Sequence, residues 1–299
     1  MNTTTLAPAP QFLSLAEFKP ALAIVEDDNK MIDLWLHGKS KNTQEAYRRD
    51  IEYFQGFIGG KALQLVTLND LQDYHSQLSD RFSRGTVSRR MAAVKSLLTY
   101  GHELGVLAVN AAKPFKVKRC SDRLSERILT ENEVHQIIFG FQGKERDRLI
   151  LKFLYFTGCR VSELCSLTWR NTTTLDDGKA QITIVGKGDK ARTVLISSEL
   201  WSAISDRRGD SRIDDPLFPS RTGRSLTRSQ INRIVTRACN QAGIDKGISP
   251  HWLRHAHASH SLKRGAALPL VQRSLGHSNL NTTAVYLHVA PEDSSGLYL

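Results

Sequence analysis

A proline set in a run of positive charge, Lys113-Pro114-Phe115-Lys116-Val117-Lys118-Arg119, divides this chain into two stretches of different character. Proline fixes its own φ and lacks an N–H, so a helix does not continue through it, and like charges at that density keep a segment solvated. The chain has 299 residues, long for one core and enough for two. The break therefore predicts a tail over 1–25, a helical domain over 26–112, a linker over 113–127 and a second domain over 128–299. Arg123 and Arg127 carry the linker's charge onward.

The tail is rich in Thr, Ala and Pro and reads as flexible, with Phe12 to Leu22 as a short docking segment. From 26 to 112 the apolar spacing is helical. Leu34, Trp35 and Leu36 fall in one helix. Tyr47, Ile51, Phe54 and Phe57/Ile58 follow a Ser40–Thr43 cap and end at Gly59-Gly60. Thr67-Leu-Asn-Asp70 caps a third helix with Leu71, Tyr74 and Leu78. A fourth starts at Ser83, with Val87, Met91, Val94, Leu97 and Leu98 inside and Arg84, Arg89, Arg90 and Lys95 outside. This is a four-helix bundle with a basic flank, a flank that solvation alone would also explain.

Past Leu129, Thr130-Glu-Asn-Glu133 is a capping box, and Arg146 to Phe156 reads as a buried helix interrupted at Thr157-Gly158. One region reads as strand: Gln181–Val185 and Arg192–Ile196 flank Gly186-Lys187-Gly188-Asp189 as a β-hairpin. Beyond Pro219 the pattern is helical to Val289. The fold expected is mainly α with a small antiparallel sheet, in two domains.

The net charge is +11. An excess of Lys and Arg points first to nucleic-acid phosphate and second to an anionic membrane surface. No apolar run reaches the ~18 residues of a spanning helix, and the N-terminus lacks a positive n-region. The four cysteines show neither a C-x-x-C pair nor disulfide-like spacing, which suits a soluble, reducing, cytoplasmic setting.

The residues that could carry chemistry are scattered. Arg160 follows a Thr-Gly break at a helix start, where free N–H groups favour an anion; an arginine there also serves as a surface ion-pair partner. Glu163, one turn on, would hold it. Lys187 on the hairpin tip is either a solubilising turn lysine or an ammonium delivered to a leaving oxygen. His251 and Arg254 are i and i+3 on a predicted helix. The neighbouring His255, His257 and His260 invite a zinc reading, but Trp252 stands where a zincin helix needs Glu, and Arg254 would repel a cation. Tyr286 is by default a half-buried core residue, with Val285 and Val289 on a packing face. As a nucleophile it would need a base and a positive field to offset a pKa of ~10.

Taken in order, four segments resemble the tyrosine recombinase (phage integrase) family, most closely its Xer-like branch. They are Thr157-Gly-Cys-Arg-Val-Ser-Glu-Leu164, Val185-Gly-Lys-Gly-Asp-Lys-Ala-Arg192, His251-Trp-Leu-Arg-His-Ala-His-Ala-Ser-His260 and Leu275-Gly-His-Ser-Asn-Leu-Asn-Thr-Thr-Ala-Val-Tyr286. The resemblance covers roughly 28–291, since the N-terminal helices look like that family's core-binding domain.

The resemblance implies a site-specific recombinase that works without metal, ATP or other cofactor. Arg160 and Arg254 would grip the scissile phosphate, Tyr286 would attack it, and Lys187 would protonate the leaving 5′-oxygen. His251 would exchange the tyrosine's proton, His277 would donate to the phosphate, and Glu163 and His255 would support. The implied partner is double-stranded DNA with a short inverted-repeat core site, bound by a homo-tetramer or by a hetero-tetramer with a related recombinase, through a Holliday junction. Arg84, Arg89, Arg90, Lys95, Lys116, Lys118, Arg119, Arg224, Arg228, Gln230 and Arg233 are the expected DNA contacts. Only Pro291 to Leu299 follows the tyrosine segment, shorter than the tail many relatives dock on a neighbour, and the first 25 residues look too short for an arm-binding domain. The alternatives are a type IB topoisomerase and a catalytically inactive DNA-binding relative.

Overall fold

The computed structural model describes residues 27–116, 128–186, 189–277 and 281–286. The N-terminal tail, most of the linker with Lys118 and Arg119, the hairpin tip with Lys187, and residues 287–299 lie outside them. The chain divides into two compact units, Met1–Asp122 and Arg123–Leu299.

The first unit is built from α1 (Asp28–Leu36), α2 (Lys41–Phe57), α3 (Leu68–Arg81) and α4 (Arg84–Glu103). Local chemistry sets the starts. The Asp27 carboxylate accepts from the Lys30 amide, and Thr67 and Asp70 form a reciprocal capping box ahead of α3. Trp35, Phe54, Tyr74, Met91 and Leu97 fill the core.

The basic flank departs from its expected form. Arg84 is exposed, but the Arg90 side chain is only 15% exposed and lies against the rings of Tyr53 and Phe82, 3.9 and 4.2 Å from their centroids. Asp50, buried in α2, draws it inward and also pairs with Arg89. A buried carboxylate needs counter-charge, and aromatic faces attract a guanidinium, so tertiary contact overrides the outward helical phase. Lys95 likewise donates to the Phe115 carbonyl.

The second unit holds α5 (Glu131–Phe139), α6 (Glu145–Thr157), α7 (Val161–Ser166), β1 (Thr172–Thr174), β2 (Ala180–Val185), β3 (Ala191–Ile196), α8 (Ser198–Ser205), α9 (Arg228–Gln241), α10 (Pro250–Lys263), α11 (Leu268–Leu275) and α12 (Asn281–Ala284). The sheet is antiparallel in the order β1-β2-β3, with Val185 opposite Ala191 and Ala180 opposite Ile196. Ala180, Ile182 and Ile184 face the core with Phe153, Trp169 and Leu253. Two elements escaped the sequence reading. β1 is three threonines, too short for an alternation to register, and α8 is a short helix started by the Ser197 side chain. The helical run after Pro219 is also broken, by left-handed Gly243, Gly247, Gly265 and Gly276. Among the described residues no helix is long and apolar enough to cross a membrane.

Candidate active site

Four pieces of the second unit converge: the α6–α7 turn, strand β3, helix α10, and the end of α11 with His277, Thr283 and Tyr286. The α6–α7 turn exists because Gly158 takes φ +58° as the cap of α6. A Cβ there would stand 2.7 Å from His257 and 2.8 Å from Leu275. Arg160 then caps α7, and Glu163 folds back on it. One carboxylate oxygen accepts the Arg160 amide at 2.7 Å and the other its Nη1 at 2.8 Å. Arg192, from β3, closes a fork on the same carboxylate at 2.9 and 2.7 Å. Burial alone would raise the Glu163 pKa, but the Arg192 fork and the Arg160 bonds outweigh it and hold the carboxyl at about 2. Arg160 stays 34% exposed.

Arg254 lies behind this hub, 4% exposed. It donates to the Gly158 carbonyl at 2.6 Å and to the Leu275 carbonyl at 2.7 Å, joining the turn before Arg160 to the one before His277. Burial and the neighbouring Arg160 charge lower its pKa to about 10, so it remains a cation.

Gly276, at φ +66°, ends α11 and turns the chain into His277. Burial, then the charges of Arg254, Arg160 and Arg192, press the His277 pKa down to about 4, which keeps the ring neutral near pH 7. Its Nδ1 meets the Thr283 hydroxyl at 2.8 Å, and the Thr283 carbonyl accepts the Tyr286 amide at 3.1 Å. Tyr286 stands just past α12, buried against Ala258, Val271 and Leu275, while Val285, expected on a packing face, is 39% exposed.

The imidazole bonded to the Tyr286 hydroxyl is that of His255, at 2.6 Å from Nδ1. The sequence reading gave that proton to His251 and made His255 a support; the hydroxyl contact is made by His255. The two histidines are one turn apart on α10, and where the tyrosine returns selects between them. His251 sits on the exposed first turn, with its pKa held below the usual value by partial burial and by the Arg254 and Arg160 charges.

The remaining histidines are committed to the protein. His257 Nδ1 meets the Tyr155 carbonyl, and His260 bridges the Tyr155 hydroxyl and the Leu129 carbonyl. Among the described residues no three His, Cys, Asp or Glu side chains are grouped to hold a metal ion.

A cavity of about 1040 Å³ opens beside the hub, lined by Arg160, Lys190, Arg192, Arg273, Gly276 and His277. Lys190, Arg192 and Arg273 were missed by sequence reasoning. For Arg192 a signal existed, since it is in phase with the buried Val194 and Ile196 on the inward side of β3. Of the expected DNA contacts here, Arg224, Arg228 and Arg233 are exposed, as is Lys116 in the first unit. The Gln230 side-chain oxygen Oε1 is instead spent on the Thr227 amide and hydroxyl that cap α9.

The model of the phage integrase family matches residues 127–293, and that of the phage integrase N-terminal SAM-like domain matches 31–102. A tyrosine recombinase XerD of Pseudomonas aeruginosa is 32% identical over 272 residues, 86% of this chain and 90% of the relative. A tyrosine recombinase XerC of Corynebacterium efficiens is 33% identical over 267 residues, 85% and 83% of the two chains. The XerH site-specific recombinase, solved on its difH substrate before cleavage, is 27% identical with a TM-score of 0.63 over 79% of this chain and 71% of that one. A lambda integrase dimer on a COC′ core site shares the fold, with a TM-score of 0.73 at 16% identity over 89% and 95% of the chains. With the family's model matching more than half of its length, and relatives a third identical along most of it, the chain belongs to the phage integrase family.

Proposed function

We propose that this site-specific recombinase cuts and rejoins duplex DNA through a covalent link to Tyr286. The observation that carries the reading is the 2.6 Å contact between the Tyr286 hydroxyl and His255, on the same helix as Arg254. Tyr286 Oη attacks the scissile phosphorus and gives its proton to His255 Nδ1. The new Oη–P bond forms as the P–O5′ bond breaks, leaving a 3′-phosphotyrosine and a 5′-hydroxyl. Arg160 and Arg254 offset the charge that builds on the non-bridging oxygens, fixed in place before the reaction begins. A Thr283 hydroxyl donating to His277 Nδ1 leaves that ring's proton on Nε2, facing a phosphate oxygen. Lys187 protonates the departing 5′-oxygen, a role that rests on its place in the Val185–Arg192 segment. The phosphotyrosine keeps the energy of the broken bond, so a partner strand's 5′-hydroxyl reverses the step without ATP.

DNA as substrate is supported by the XerH and lambda integrase structures, each bound to its own site. The basic cavity beside Arg160 agrees with it. Four protomers on two duplexes, exchanging strands through a Holliday junction, complete the proposal, with the target an inverted-repeat core.

The test uses a duplex selected from a randomised pool by the wild-type protein, synthesised as a series with one nick moved along a strand. The expected product is a protein–DNA adduct that survives denaturation, maps to the Tyr286 peptide, and leaves a 5′-hydroxyl end. A link through another residue, or a 5′-phosphate end, would contradict the mechanism.

A further inference from the structure

We propose that Arg192 is a positioning residue of strand cleavage, its single guanidinium locking the Arg160 turn and the His277 turn into one geometry. The proposal rests on the reading of Tyr286 and Arg160 given above. Arg192 enters from β3 with 9% of its side chain exposed and reaches two separate segments. Nη1 and Nη2 fork onto Glu163, which itself holds the amide and Nη1 of Arg160. Nε donates at 2.7 Å to the Ser274 carbonyl, in the last turn of α11, where helical carbonyls have no partner of their own. Two residues later Gly276 turns the chain into His277, and a Cβ on that glycine would meet Arg192 Cδ at 3.1 Å. The Arg192 stem and the His277 turn are therefore packed as well as bonded.

The arrangement also governs how much of Arg160 faces the cavity. Glu163 carries one negative charge and faces two guanidinium groups. While Arg192 occupies one side of the carboxylate, the Arg160 guanidinium bonds it through Nη1 alone. Without Arg192, the carboxylate offers Arg160 a bidentate fork, which draws the guanidinium toward Glu163 and away from the phosphate. Lysine at 192 preserves the charge but cannot reproduce a planar fork plus a third bond. A role in charge balance alone would survive Arg192→Lys, whereas a positioning role would not.

The experiment measures adduct formation on the selected nicked duplex for wild type, Arg192→Lys and Arg192→Gln, at saturating DNA. A second substrate carries a methylphosphonate at the scissile position, which removes the negative charge that Arg160 offsets. The expected result for Arg192→Lys is a rate about 100-fold lower, DNA affinity within about threefold, and a defect that shrinks several-fold on the methylphosphonate. A defect acting through Arg160 falls when the phosphate charge falls; a general loosening of the fold does not. Rates within about threefold of wild type for both variants, or an equal defect on both substrates, would overturn the proposal. So would the loss of a cooperative thermal transition in both, which would make Arg192 a residue of the fold alone. A wild-type protein that forms no adduct on any nicked duplex would instead overturn the reading of Tyr286.

Discussion

Asp50 in the first unit and Glu163 in the second are each buried carboxylates set between two arginines. Around Asp50, Arg89 pairs closely, while Arg90 Nε stands off at 3.7 Å and the guanidinium lies against the rings of Tyr53 and Phe82. Burial dominates there and raises the Asp50 pKa against the pull of both arginines. Glu163 receives the Arg160 amide, Arg160 Nη1 and both Arg192 Nη atoms, and these bonds outweigh burial to hold it at about 2. The first arrangement consumes Arg90 in packing and leaves Arg89 on the exposed flank of the bundle. The second leaves Arg160 a third exposed beside a basic cavity. An arginine pair on a carboxylate is therefore no mark of a site by itself; what the exposed guanidinium stands beside decides.

The largest effect that would break this contrast is at the arginines themselves. Arg160→Ala should slow adduct formation at saturating DNA by about 1000-fold with little change in thermal stability. Arg90→Ala should leave that rate within about threefold yet cost about 2–4 kcal/mol in a urea melt, because it leaves buried Asp50 with Arg89 alone and empties the space against Tyr53 and Phe82. If the two variants exchanged phenotypes, the contrast would be wrong. Next in size is the proton step. His255→Gln should slow adduct formation about 100-fold; a comparable loss confined to His251→Gln would return the tyrosine's proton to His251.

The smallest effect sharpens the comparison through pH. Glu163 is depressed from 4.5 to about 2, so its stabilisation is complete above pH 4.5 and is lost as pH falls toward 2. Asp50 is raised above 3.8, so the opposite sign applies, and stability is gained as pH falls through its titration. In thermal melts over this range the deficit of Glu163→Gln should shrink on acidification and that of Asp50→Asn should grow. Parallel curves would show that the two carboxylates are alike.

Much of this was legible in the sequence wherever a residue's role is set by its near neighbours. The capping boxes Thr67/Asp70 and Thr130/Glu133, the β2–β3 pairing and the Gly158 turn all follow from spacing and residue type. Roles set by a distant partner were not. Helical phase put Arg90 on the outside, and buried Asp50 with the rings of Tyr53 in α2 and Phe82 at the end of α3 explains its turn inward. His255 and His251 share a helix face, and the choice between them depends on where the chain brings Tyr286 back. Arg192 carried a period-2 signal, but its partners Glu163 and Ser274 lie 29 and 82 residues away.

The most direct test of the account compares wild type with Tyr286→Phe on the selected nicked duplex. Phenylalanine keeps the buried ring and removes the nucleophile. The account predicts wild-type affinity for the duplex and no covalent adduct in the variant. An adduct that persists in Tyr286→Phe would contradict it.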